Sequence, residues 1–376
     1  MIKMISTNTG TRFGFSFLLL ILLSACGGGG SDTSSVASIP PNTAPSFISS
    51  GELTVVEGSL QIASIEVRDL ESGYSGVVQS IQGGADSSLF AISSSGDLSF
   101  LTGADFENPS DTDTNNVYEV TLGVSDGDKS ATLAASVTVL DAVEGRVIDA
   151  PLSGSTVFID LDGDSVQDDD EPVATSDANG YFVVKRSDAL AGVTPRVISV
   201  GGTDIQTAKE LPNLALISEL ASDSTKDMAV TPLTTVVSSA TTPEAKAQLL
   251  SALGVSGTVE ELLTMDTWAL AQSGDENAKT LQKKNAQIGL ILQTAENLIE
   301  SDSTTKATDL TEAVAEKLVS LSASSDTVDL TSSATVSSVL TEAVSEVDSS
   351  ASVSSATIDA VSDSVATVSA IMGDRD

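Results

Sequence analysis

The stretch VYEVTLGVSDGDKSATLAASVTVLD, residues 117–141, alternates with a period of two. Tyr118, Val120, Leu122 and Val124 point one way, with Glu119, Thr121 and Gly123 between them. Leu133, Ala135, Val137 and Val139 repeat the pattern. Such alternation marks strands with one buried face. Upstream, FAISSSGDLSF (90–100) reads as two short runs around a Ser-Gly-Asp turn, a hairpin signal. Several short strands at this spacing predict an all-β, antiparallel Greek-key sandwich of about 100 residues. We place it at residues 46–142.

Further motifs occur in a fixed order: NTAPSF, VVEG, VRDLES, LFAISSSGDLSF, ADFENPSD, YEVTLGVSDG and SVTVLD. Together they resemble a cadherin repeat of the bacterial cadherin-like kind, over about a quarter of the chain. The resemblance implies calcium at the two poles of the sandwich. It places Glu57, Asp105, Glu107 and Asp141 at the carboxyl-terminal pole, and Asn42, Asp69, Glu71 and Asp126 at the amino-terminal one. The chemistry agrees, because calcium takes six to eight oxygens and separate loops can supply them only after folding. The expected Asp-x-Asn-Asp-Asn linker is here DAVEG (141–145), which keeps Asp141 and an acid at Glu144 but has neither asparagine. No second repeat follows, so sites shared between repeats would be incomplete.

Residues 143–200 resemble the small β modules of bacterial surface proteins, of the carboxypeptidase-regulatory-like and Sdr B types. STVFI and PVATSDANGYFVV are strand-like, the latter with a turn at Asp177–Gly180. Between them lies DLDGDSVQDDDE (160–171), with seven carboxylates in twelve positions. Asp160, Asp162, Asp164, Asp168 and Glu171 match calcium-loop positions 1, 3, 5, 9 and 12, and Val166 offers a carbonyl at position 7. Position 6, where glycine is usual, holds Ser165. No amphipathic helix flanks the loop, so it is not an EF-hand. A solvated acidic run is the competing reading. Two carboxylates roughly 6 Å apart repel by about 2–3 kcal/mol at an effective dielectric near 20. If the flanking strands pair, the loop is forced compact and a cation is favoured.

The first 26 residues, MIKMISTNTGTRFGFSFLLLILLSAC, combine Lys3 and Arg12 with a short apolar run from Phe13 to Leu23. The run is about half the ~20 residues that a spanning helix needs, which suits a cleaved signal over residues 1–25. LSAC resembles a bacterial lipoprotein signal, implying acyl chains on Cys26, the only cysteine in the chain. Gly27 after it implies the outer membrane. Residues 26–45 then read as a Gly/Ser/Pro tether reaching about 25 Å as a coil.

Residues 201–240 read as a connecting segment and 241–376 as a helical region. Thr242 is an N-cap with Pro243 at the first helical position, Gly254 ends that helix, and Thr258 with Glu261 makes a capping box. Apolar stripes follow at Leu281/Ile288/Ile291/Leu292/Ala295/Leu298, Leu310/Val314/Leu318/Leu321, Val336/Leu340/Val344/Val347 and Ile358/Val361/Val365/Val368. TPLTT (231–235) has no evident chemistry.

The chain has 376 residues, 53 acids against 17 bases, a formal charge of −36 and no histidine. Such a surface repels nucleic acid and attracts cations. Without histidine, Ser-His-Asp and Cys-His catalysis are excluded. A two-carboxylate glycosidase remains conceivable on chemistry alone. However, aromatics are 3% of residues and the single tryptophan, Trp268, lies in a helical segment. The expectation is a non-enzymatic, calcium-binding, lipid-anchored surface protein acting in adhesion or in envelope and matrix organisation. Its partner would be a protein, a second copy included, or a glycan. A polysaccharide-binding lipoprotein is the alternative.

Overall fold

A computed structural model describes residues 41–71, 76–187, 193–222, 225–299, 304–347 and 353–373. The expected signal segment, Cys26 and most of the expected tether lie outside the described residues. The chain divides at Asn42/Thr43 into two units, and all that follows concerns residues 43–376.

The first body holds β1 (Ser46–Phe47), β2 (Glu52–Val56), β3 (Gln61–Ser64), β4 (Val67–Arg68), β5 (Val78–Gly83), β6 (Phe90–Ile92), β7 (Asp97–Phe100), β8 (Val117–Ser125) and β9 (Ser130–Leu140). One sheet has the order β2-β9-β8-β5 and the other β3-β7-β6, with β1 pairing β4. The alternating residues of β8 and β9 do face inward, and Tyr118, Leu122 and Val137 are fully buried. Tyr118 stacks edge-on against Phe100 at 5.0 Å, and Phe100 against Phe90 at 4.9 Å. These three rings anchor a core otherwise built from Val, Leu, Ile and Ala.

One pairing departs from a purely antiparallel sandwich. Strand β2 runs parallel to β9, from Glu52↔Ser136 to Val56↔Leu140. The two strands therefore end at the same pole, which sets Glu57 beside Asp141.

The second body contains β10 (Ala142–Val147), β11 (Leu152–Ser153), β12 (Thr156–Asp160), β13 (Val173–Thr175), β14 (Tyr181–Lys185), β15 (Arg196–Val200), β16 (Thr203–Asp204), β17 (Ala215–Glu219) and β18 (Met228–Val230). Its sheets are β13-β12-β15-β17 and β14-β10-β18, with a β11-β16 ribbon. The Asp177–Gly180 turn carries the chain from one sheet to the other, since β13 pairs β12 while β14 pairs β10.

The stretch 201–240, expected as a connector, holds β16, β17, β18 and the helix α1 (Pro232–Ser238). Among the described residues seven more helices follow: α2 (Pro243–Ala252), α3 (Val259–Thr264), α4 (Thr267–Gln272), α5 (Glu276–Leu298), α6 (Thr304–Ser324), α7 (Ser333–Val347) and α8 (Ser355–Gly373). Thr242 and Thr258 cap α2 and α3 as their sequences predict. The helices do not form a bundle of their own. Val143, Val157 and Phe182 of the sheets share one core with Leu233, Leu281, Ile288, Leu318 and Leu340 of the helices.

TPLTT is the knot of that core. Thr231 caps α1 through a box with Thr234. The Thr234 hydroxyl donates to the Ile217 carbonyl at 3.0 Å, and Thr235 Oγ1 accepts the Ile217 N–H at 2.8 Å. Asn285 of α5 accepts the Leu233 N–H at 3.0 Å. The motif joins α1 to β17 through buried hydroxyls and to α5 through the Asn285 amide, a structural role.

Gly145 marks a tight backbone crossing in the second body. A Cβ there would stand 2.4 Å from the Met228 carbonyl oxygen and 2.8 Å from the Phe182 ring. Gly145→Ala is expected to destabilise the second body by about 1–3 kcal/mol, read as a lower urea midpoint with an unchanged slope.

Candidate metal centres

Glu57, Glu107 and Asp141 converge at the seam of the two bodies, with one oxygen from each lying within 4.8 Å of the others. Glu57 follows β2, Asp141 is the single residue between β9 and β10, and Glu107 comes from the β7–β8 connection. A cavity of about 400 Å³ opens on them, and its wall includes Asp105, Glu144, Arg186 and Asp227. Glu57 is buried and anchored through both oxygens, each keeping a lone pair: it accepts the Phe106 N–H at 2.8 Å and the Ala142 N–H at 2.7 Å. It thus pins the first strand of the second body to the sandwich. Asp105 accepts the Asn108 N–H at 2.9 Å and stays at the cavity wall.

Arg186 lies 2.8 Å from Asp141 Oδ2, but its Nε hydrogen is not aligned, so this is an ion pair without a hydrogen bond. The other oxygen, Asp141 Oδ1, is buried with no hydrogen-bond partner. Burial, then Glu57, Asp141 and Asp105, push the Glu107 carboxyl up. Glu144 is driven from its ordinary 4.5 to about 7 by burial and by Glu57, Asp227, Glu107 and Asp105. Arg186 and Lys226 are the bases on the cavity wall, against the acids Glu57, Asp105, Glu107, Glu144 and Asp227, and oxygen-only ligands around an open cavity suit a hard divalent ion.

The acidic loop of the second body also closes. Asp160, Asp162 and Glu171 converge within 4.8 Å, as do Asp162, Asp164 and Asp168. Pairing of β12 with β13 and β15 holds its ends together. Glu171 accepts the Leu161 N–H at 2.7 Å and the Asp168 N–H at 3.2 Å. Ser165 takes the left-handed turn of position 6, at φ 63°, without being glycine. Burial and the neighbouring aspartates raise the Asp168 carboxyl, and burial raises Glu171.

Asp160 is 0% exposed and is met by a cation of the chain itself. Arg196 donates to its Oδ2 from Nε at 3.1 Å and from Nη2 at 2.6 Å, and from Nη1 to Glu312 of α6 at 2.8 Å. Glu312 also accepts from the Ser165 hydroxyl at 2.7 Å. Sequence reading missed Arg186, Arg196, Asp227 and Glu312. The Arg196–Asp160 register of β12 and β15 was accessible once those strands were paired, but nothing local points to Glu312.

The amino-terminal pole is looser. Glu71 accepts from the Thr43 N–H and hydroxyl, and its own N–H donates to Asp69 at 3.0 Å. Asp126 accepts the N–H groups of Asp128 and Lys129 across its turn, at 2.8 and 2.7 Å. Among the described residues, no trio of acid oxygens converges there. Asn42 belongs to the preceding unit.

A carboxyl whose folded pKa exceeds its unfolded value makes the fold bind the extra proton between the two, so stability falls as pH rises through that window. For Glu144 the window is about 4.5 to 7. Calcium-free protein is expected to lose stability across it, and Glu144→Gln to flatten that slope in pH-dependent urea melts. An unchanged slope in the variant would contradict this account of the seam.

No family model and no curated protein matches the chain. Solved structures similar to it include mouse clustered PcdhgC3 EC1-3, at 24% identity, covering 26% of this chain and 33% of that one, with a TM-score of 0.22. Human Protocadherin-24 EC1-2 is 16% identical, with 47% of this chain and 96% of that one covered and a TM-score of 0.23. Drosophila N-cadherin EC1-4 is 18% identical, covering 45% and 47%, with a TM-score of 0.23. The chain thus spans well under two thirds of the mouse and Drosophila fragments. At these TM-scores the sandwich assignment rests on the strand pairings above, not on the superpositions.

Proposed function

We propose that this chain is a non-enzymatic surface adhesion or matrix-organising protein whose two β bodies are locked together by calcium. The observation that carries the reading is the convergence of Glu57, Glu107 and Asp141 at the seam. A cation there neutralises clustered acids and fixes the orientation in which the outer faces are presented. The ordered cadherin-like motifs of the sequence point the same way. The acidic loop of the second body is a second calcium position on this reading, with Arg196 holding Asp160 in place for it. Binding only to the folded state stabilises by about 2.7 kcal/mol at 100 times the dissociation constant. Thermal melts of the full-length protein are expected to shift upward in millimolar calcium and back in chelator, with a smaller shift for Glu107→Gln. Bead aggregation should show the same calcium dependence. Superimposable melts and aggregation with and without chelator would end the proposal.

Acyl chains on Cys26 complete the reading by tethering the protein to the outer membrane, each buried methylene contributing roughly 0.8 kcal/mol. Metabolic palmitate labelling should mark the wild type and spare Cys26→Ala. Equal labelling of both would remove the anchor from the proposal.

A further inference from the structure

The connection between β7 and β8 carries a second acidic motif that neither seam nor loop uses. Residues 111–116 read DTDTNN, placing Asp111, Asp113 and Asn115 at alternate positions. This is the spacing of positions 1, 3 and 5 of a calcium loop. Asn115 ties the two acids together: its N–H donates to Asp111 Oδ2 at 2.8 Å and its amide to Asp113 Oδ2 at 2.9 Å.

The decisive atom is the other oxygen of Asp111. Asp111 is only 4% exposed, and its Oδ1 is buried with no hydrogen-bond partner. Three other buried acids, by contrast, are provided for. Glu57 has two backbone N–H groups and Asp160 has Arg196. The nearby buried Asp86 receives the Thr112 N–H and hydroxyl on one oxygen, at 2.8 and 2.7 Å, and the Glu119 N–H on the other at 2.8 Å. Leaving a buried carboxylate oxygen unmatched costs the desolvation of that atom.

The backbone agrees with the acidic loop of the second body. There, positions 4 and 6 are left-handed, at Gly163 (φ 89°) and Ser165 (φ 63°). Here the same positions are Thr114 (φ 56°) and Asn116 (φ 63°). A left-handed β-branched threonine is costly, and such strain persists only where the surroundings over-determine it.

We propose that Asp111, Asp113 and Asn115 form a further divalent-cation site, independent of the seam, with calcium its best-fitting occupant. Asp111 Oδ1 and Asp113 supply charged ligands. Asn115 Oδ1 supplies a neutral one, since it accepts a single N–H, from Val117 at 2.7 Å, and keeps a lone pair. Water completes the shell. With two carboxylates and one amide, the site is weaker than the five-acid loop of the second body.

The test counts calcium by calorimetry on full-length wild type, Asp113→Asn and Glu107→Gln. Asp113 is exposed, so its substitution leaves the core intact. Asp113→Asn should lose one binding event, or weaken it at least tenfold, and keep the event that Glu107→Gln removes. Terbium gives a local readout, because the Tyr118 hydroxyl accepts the Ser110 N–H at 3.1 Å beside Asp111. Tyrosine-sensitised terbium emission should therefore fall in Asp113→Asn. Wild-type calcium stoichiometry and emission in that variant would overturn the site and leave the seam proposal standing. Absence of any calcium binding by the wild type would overturn both.

Discussion

The parallel pairing of β2 with β9 decides where this molecule concentrates its charge. Strands that run the same way finish at the same pole, so the residues after Val56 and Leu140 emerge side by side. Both are acids, Glu57 and Asp141, and the second body starts one residue later at Ala142. In a wholly antiparallel sandwich Glu57 would lie at the far end, and the seam would have no acidic cluster. The edge pairing therefore fixes the sandwich and the chemistry of its exit together.

With 53 acids and 17 bases, bases are scarce, and several are placed inside the fold. Arg146 is buried, reaches Asp266 at 2.9 Å and lies over the Tyr181 ring. Arg196 bridges β12 and α6, Arg186 faces Asp141, and Lys246 meets Glu219. A buried pair stripped of one partner is strongly destabilising, whereas exposed pairs contribute little. The cations thus mark where acids are matched within the fold, and the acid groups left in excess are the ones to which the proposed function assigns an external cation.

Legibility in the sequence followed the length and one-sidedness of each pattern. Strands β8 and β9 were readable because one face is buried and the other wet, so alternation survives over 9 and 11 residues. Strands β17 (ALISE) and β18 (MAV) were not, because they are buried almost throughout and short. A brief run buried on both faces has no period to read. The acidic loop was visible as spacing, and its closure could be argued from strand pairing. Its anchor was not, since Ser165 and Glu312 lie 147 positions apart. In DTDTNN the spacing was present, but its significance comes from the burial of Asp111, which no local pattern reveals.

The Ser- and Val-rich helices show the same dependence of local structure on burial. Their composition gives weak intrinsic helix propensity, yet α7 buries Val336, Val339, Leu340, Ala343 and Val344, a spacing of three and four that lines one face. Tertiary packing of that stripe, more than propensity, holds such a helix. Because the stripe belongs to the core of the second body, the helices move with its sheets. The orientation of this whole assembly relative to the sandwich is then set at Asp141 and its surroundings, where Glu57 already holds the Ala142 N–H without any ion. On the proposed reading, a cation at the seam would stiffen a joint that exists in its absence, rather than assemble the fold around metal.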